Sequence, residues 1–124
     1  MVRTVLLVDD EADIRTIARI SLSRVGGWET LSAENGEQAL ATASASLPDL
    51  ILLDVMMPGM DGPTVLARLR ADPRTAHIPV IFLTAKVQRG DVGHYVSLGA
   101  LGAIAKPFDP MRLPLDVKRL LERA

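Results

Sequence analysis

The chain has no cysteine, which excludes disulfides and thiolate metal sites. It has no apolar run approaching the roughly 18 residues that a membrane span requires. Two acids interrupt the short apolar stretch of the amino-terminal MVRTVLLVDD where a signal peptide would continue, so a cytoplasmic protein with no membrane partner is expected. An excess of one charge is also missing: 14 Lys and Arg stand against 15 Asp and Glu, a net charge of -1. Direct nucleic-acid binding usually needs a basic excess, and none is expected here. There is no Walker-type glycine loop, which disfavours a nucleotide hydrolase. No linker, repeat or low-complexity tract interrupts the 124 residues, and one compact domain over residues 1–124 is predicted.

What is present is an alternation. Five β-prone stretches, RTVLLVD (3–9), WETLSA (28–33), DLILLD (49–54), PVIFLT (79–84) and LGAIA (101–105), include near-continuous apolar runs that suit parallel strands buried on both faces. Helical periodicity fills the intervals. Ile14, Ile17, Ala18, Leu22 and Val25 form one stripe that Gly26 and Gly27 end. Asn35 is placed to cap a second helix closed by Leu47-Pro48, and Pro63 opens a third. A fourth, around 89–98, is weakened by Gly90 and Gly93. Asp109 and Pro110 read as the cap and first turn of a fifth, inside which Pro114 should kink the first turn. Five βα units predict an α/β fold, a doubly wound parallel sheet covered by helices on both sides. Ligands of such sheets bind at the carboxyl ends of the strands.

Polar residues stand at four of those ends. Asp9 and Asp10 close the first strand in LLVDDE, Asp54 the third in DLILLDVMMPGMDG, Thr84 the fourth in IFLTA and Lys106 the fifth in AIAKPF. Three carboxylates on one edge repel one another unless a cation screens them. Mg²⁺ takes oxygen ligands and is commonly held by one or two carboxylates plus a phosphate oxygen, so Asp9, Asp10, Asp54 and the backbone carbonyl of Met56 are the candidate metal ligands. Lys106 adds a point charge suited to a phosphoryl group and Thr84 a neutral donor for the same oxygens. In this arrangement Asp54 is the candidate nucleophile, with Thr84 and Lys106 as its catalytic partners.

Taken together, VDDE, LLDVMMPGMDG, LTA and KPF, at intervals of 44 (10 to 54), 30 (54 to 84) and 22 (84 to 106), resemble the response-regulator receiver domain, the CheY-like phosphoacceptor of two-component signalling. The resemblance covers essentially the whole chain. It implies a flavodoxin-like sheet of strand order 2-1-3-4-5 with five helices, a cis peptide bond before Pro107, and transfer of a phosphoryl group onto Asp54 with Mg²⁺. The implied donor is a phosphohistidine on a sensor histidine kinase or a histidine phosphotransfer protein. Because the fifth helix reaches the chain's end, output is expected through an unknown downstream protein, or the domain shuttles or drains phosphate. It is expected to be a signalling domain and not an enzyme, monomeric, with a dimer on phosphorylation as the alternative.

Other readings are weaker. A constitutive interaction module would be favoured by loss of Asp54 or Lys106, and both are present. An aspartate-nucleophile phosphatase resembles a D-x-D arrangement, and Met56 stands where the second acid is needed. His77 and His94 read as surface residues, and Met57 and Met60 as packing residues, since thioethers suit hard ions poorly. Gly59 and Gly62 fit a tight loop beside the site. One departure stands out: family members often carry Tyr or Phe three residues before the lysine, and here that position is Ala103. Coupling to the output face is therefore expected to run through residues 85–98.

Overall fold

The computed structural model describes residues 2–85 and 89–122. Five strands, β1 (Thr4–Val8), β2 (Glu29–Ala33), β3 (Leu50–Asp54), β4 (Val80–Thr84) and β5 (Gly102–Ala105), alternate with five helices, α1 (Ala12–Ile20), α2 (Gly36–Ser46), α3 (Gly62–Ala71), α4 (Arg89–Ser97) and α5 (Leu113–Glu122). All neighbouring strands are parallel, in the order β2-β1-β3-β4-β5. This is the doubly wound arrangement expected.

Strand side chains alternate between faces, so a strand covered on both sides must be apolar at nearly every position. Leu6, Val8, Ile51, Leu53, Val80 and Phe82 pack on one face against Ala39 and Ala43 of α2, Val65, Leu66 and Leu69 of α3, and Tyr95 of α4. Val5, Leu7, Leu50, Leu52, Ile81 and Leu83 pack on the other against Ala18 of α1 and Leu113 and Val117 of α5. Trp28 lies just before β2, buried on the second face with the Lys118 ammonium 5.7 Å from its ring.

Helix boundaries follow local chemistry. The Asn35 side chain accepts the Gln38 N–H at 2.9 Å, and Gln38 Oε1 in return accepts the Glu34 N–H at 3.0 Å, a reciprocal cap. Leu47 ends α2 in the left-handed region (φ 49°), immediately before the proline that cannot continue the helix. Asp61 caps α3 by accepting the Thr64 N–H at 2.9 Å, with Pro63 in the first turn.

Two expectations at helix ends are corrected. The predicted stripe is buried at Ala18 and Leu22 but not at Ile17 and Val25, which are 42% and 44% exposed, and Ser21, outside the stripe, is buried with it. After Ile20 the helix widens into a π-helical turn, Ser21–Val25, with the Gly26 N–H bonded to the Ser21 carbonyl at 3.2 Å. The wider turn advances less per residue, so Val25 rotates out of the stripe that a regular helix would give it. At the other helix, Asp109 and Pro110 do not begin α5. The Asp109 carbonyl accepts the N–H groups of Arg112 and Leu113, both at 2.9 Å, in a preceding turn, and α5 starts at Leu113. Pro114 therefore occupies the first helical turn, where the N–H it lacks would have no partner within α5.

The loop between β3 and α3 is the tightest passage near the strand ends. Gly59 has φ +79°, and the Gly62 N–H bonds the Val55 carbonyl at 2.9 Å. A Cβ on Gly62 would stand 2.5 Å from the Asp54 carbonyl oxygen and 2.9 Å from Val55 Cα. Both are backbone atoms that cannot swing away. Gly62→Ala is expected to destabilise the protein by about 1–3 kcal/mol, the usual range for overpacking, measured by denaturant unfolding. A change below 0.5 kcal/mol, the scale of an inert surface substitution, would refute this close-approach argument.

Candidate functional site

A parallel sheet brings all carboxyl strand ends to one edge. Asp9 follows β1, Asp54 ends β3, Thr84 ends β4 and Lys106 follows β5, and all four predicted polar positions meet there. Asp9 is fully buried, Asp54 2% exposed and Thr84 4% exposed, whereas Asp10 is exposed at the rim. One carboxylate oxygen from each of Asp9, Asp10 and Asp54 lies within 4.8 Å of the others.

Lys106 holds the cluster together. Its Nζ donates to Asp9 Oδ2 at 2.9 Å and stands 3.3 Å from Asp54 Oδ1 and 3.9 Å from Glu11 Oε1. The Lys106–Pro107 peptide bond is cis, as the resemblance implied, and the Lys106 N–H is anchored on the Thr84 carbonyl at 2.8 Å. Burial pushes the Asp54 carboxyl up to about 6, with the Asp9 charge acting the same way and the Lys106 ammonium opposing both. Burial also acts against the Lys106 charge, but its bond to Asp9 and the attraction of Asp9 and Asp54 outweigh it, and its pKa is raised. One ammonium thus serves three acids incompletely. The remaining negative charge, presented by oxygen donors only, fits a hard divalent cation.

Met56 and the two histidines complete the predicted set. Met56 projects its side chain into solvent (76% exposed), while its N–H donates to Asp54 Oδ1 at 3.3 Å. His77 and His94 are exposed and away from the strand ends. Two contributions have no sequence motif. The Glu11 N–H donates to Asp9 Oδ1 at 2.9 Å, and the Arg15 guanidinium donates to the Asp9 carbonyl at 2.8 Å while lying 3.7 Å from Glu34. Arg15 braces the loop of Asp9 and Asp10 from one helical turn below. Its spacing of six residues from Asp9 was the only available sign, and an arginine on an exposed helix face carries no distinguishing pattern.

The raised Asp54 pKa has a testable sign. An acid that titrates near 3.8 when unfolded and at about 6 when folded adds stability below pH 3.8, loses it as pH rises through 6, and is a net cost above that. Asp54→Asn is therefore expected to be more stable than the native protein at pH 7.5 in a chelator. The gap should open between pH 4 and 6 and stay level above, read from paired thermal melts. A gap independent of pH would contradict the burial of the charge.

The comparisons with known proteins agree with this geometry. The family model of the response regulator receiver domain matches residues 5–118. The chain is 43% identical over 121 residues to the phosphate regulon transcriptional regulatory protein PhoB of Pseudomonas aeruginosa, covering 98% of this chain and 52% of that protein. It is 45% identical over 118 residues to the response regulator PleD of Caulobacter vibrioides, covering 94% and 25%. The chain thus spans about half or less of these relatives. Among solved structures, the chemotaxis protein CheY4 of Vibrio cholerae superposes with a TM-score of 0.88 at 31% identity, covering 97% of this chain and 99% of that one. With the family model matched over nearly the whole length and the five-stranded order shared with CheY4, the chain belongs to the response regulator receiver domain family of two-component signalling.

Proposed function

We propose that Asp54 accepts a phosphoryl group from a phosphohistidine on a sensor histidine kinase or histidine phosphotransfer protein. The observation that carries this reading is a nearly buried Asp54 whose Oδ1 lies 3.3 Å from the Lys106 ammonium, with two more carboxylates within 4.8 Å. A carboxylate oxygen of Asp54 attacks phosphorus, the P–N bond to the donor breaks, and the histidine nitrogen leaves with its electron pair and takes up a proton. Lys106, already directed at the acceptor, offsets negative charge on the phosphoryl oxygens, and the Thr84 hydroxyl serves as a neutral donor to them. Asp9, Asp10, Asp54 and the Met56 carbonyl would hold Mg²⁺, which supplies further neutralisation of phosphoryl charge. The first three offer the hard oxygen ligands that this ion prefers.

Among the described residues no helix is long and apolar enough to cross a membrane. We place the reaction in the cytoplasm, with a monomeric domain that signals through protein contacts or relays phosphate. Tyr95 of α4, buried on the Phe82 ring at a centroid distance of 5.1 Å, and Ala103, packed at the border of the same cluster, support a signal carried mainly by residues 85–98. Of these, 86–88 lie outside the described residues.

Three outcomes are expected. Acetyl phosphate with Mg²⁺ should add one base-labile phosphoryl group at Asp54, read by intact mass and borohydride trapping, and labelling of Asp54→Asn at the native rate would reject the acceptor. Asp9→Asn combined with Asp10→Asn should abolish Mg²⁺ binding in calorimetric titration, and an unchanged isotherm would reject the ligand set. Beryllofluoride should alter hydrogen-exchange protection chiefly within 85–98, and a largest change at 101–105 would reject the proposed route.

A further inference from the structure

Pro114 removes a backbone donor at a specific place. In a helical turn the carbonyl of residue 110 would be met by the N–H of residue 114, and proline has none. The donor that meets the Pro110 carbonyl instead is the Ser21 hydroxyl, from the first residue of the π-helical turn that continues α1. Ser21 is 2% exposed, so its hydroxyl would be costly to bury without a partner. This bond connects segments 89 residues apart and ties α1 to the loop that carries Lys106.

That loop has few other anchors. At its start the Lys106 N–H is held by the Thr84 carbonyl at 2.8 Å. Phe108 packs partly buried against the core cluster that includes Leu22, Leu113 and Val117, and the turn closes on the Asp109 carbonyl. Beside this apolar packing, polar ties among the described residues join the β1–α1 side to the β5–α5 side in two places: Lys106 to Asp9 and Glu11 at the site, and Ser21 to Pro110 beneath it. We infer that Ser21 is a positioning residue for Lys106, its hydroxyl replacing the hydrogen bond that Pro114 withholds and so fixing the loop from which Lys106 reaches Asp9 and Asp54. The π-helical turn belongs to this device, because Ser21 is buried at the point where the helix departs from regular geometry while Val25 is turned out to solvent.

The test is a pair of double-mutant cycles on the full chain. Its kinetic arm rests on the phosphoacceptor reading, and its spectroscopic arm does not. Ser21→Ala should shift the NMR signal of the Lys106 side chain and slow labelling by acetyl phosphate roughly three- to tenfold, the effect of losing one ordinary hydrogen bond. Mg²⁺ affinity should change less than twofold. Adding Pro114→Ala, which restores an N–H able to meet the Pro110 carbonyl, should return both signal and rate toward native values, and Ser21→Ala in a Lys106→Ala background should slow labelling no further. A merely structural serine would lower the melting temperature without this rescue and would slow the Lys106→Ala background equally. An unmoved Lys106 signal in Ser21→Ala, or no rescue by Pro114→Ala, overturns the inference. If Ser21→Ala does not fold, Ser21→Cys, similar in size with a weak donor, takes its place in both cycles. A native chain that accepts no phosphoryl group overturns the phosphoacceptor reading instead, and the Lys106 signal alone then decides this inference.

Discussion

A single ammonium shared by buried carboxylates is the interaction on which the rest of the structure depends. Asp9 is fully buried and Asp54 nearly so, and the Lys106 ammonium at 2.9 and 3.3 Å offsets both charges. Removing one partner from a buried ion pair typically costs about 3–5 kcal/mol, because the other charge is left stranded. Geometry makes the demand sharper. β1 and β5 are separated by β3 and β4, roughly 14 Å at ordinary strand spacing, farther than one lysine side chain spans. The loop after β5 must lean back over the sheet's edge, and the backbone bond from Lys106 to the Thr84 carbonyl and the tie at Pro110 hold it there.

The same crowding explains why the surrounding loops are so constrained. Both buried acids are braced by backbone or by a long side chain: Asp9 by the Glu11 amide and Arg15, Asp54 by the Met56 amide. Gly62 lets the start of α3 lie directly against the backbone of Asp54 and Val55, so the acceptor strand and the helix that follows it leave almost no space between them. The site is consequently stiff on its β1 and β3 sides. Its polar groups are arranged before any partner arrives, which is the condition for electrostatic stabilisation without reorganisation.

The aromatic content of the chain is small, one Trp, one Tyr and two Phe, and the rings are distributed unevenly around the site. The Tyr95 and Phe82 rings meet at a tilt, their centroids 5.1 Å apart, on the face covered by α2, α3 and α4. Ala103, opposite Phe82 in the β4–β5 register, contributes only a methyl group to that region. Beside Ala103 the bulky ring from outside the sheet is therefore carried by a helix and not by β5. A ring on a helix moves only with the helix or by its own rotamer.

The alternation of strands and helices, the burial of β1, β3 and β4 on both faces, and the gathering of Asp9, Asp54, Thr84 and Lys106 were all legible in the sequence, because each depends on a local pattern. Continuous apolar runs mean two-sided burial, and parallel strands put every carboxyl end on one edge. The intervals among VDDE, LLDVMMPGMDG, LTA and KPF added the family and, through it, the strand order that periodicity alone does not determine. The π-helical turn, the start of α5 at Leu113, the brace from Arg15 and the bond from Ser21 to Pro110 were not legible. Helical periodicity assumes 3.6 residues per turn, and nothing local distinguishes a stripe that will be rotated by one wider turn. Pro114 looked like a defect in a helix because its compensating donor lies 89 residues away. Contacts of that kind exist only once packing has brought α1 against α5, and so tertiary structure alone decided which serine faces which carbonyl.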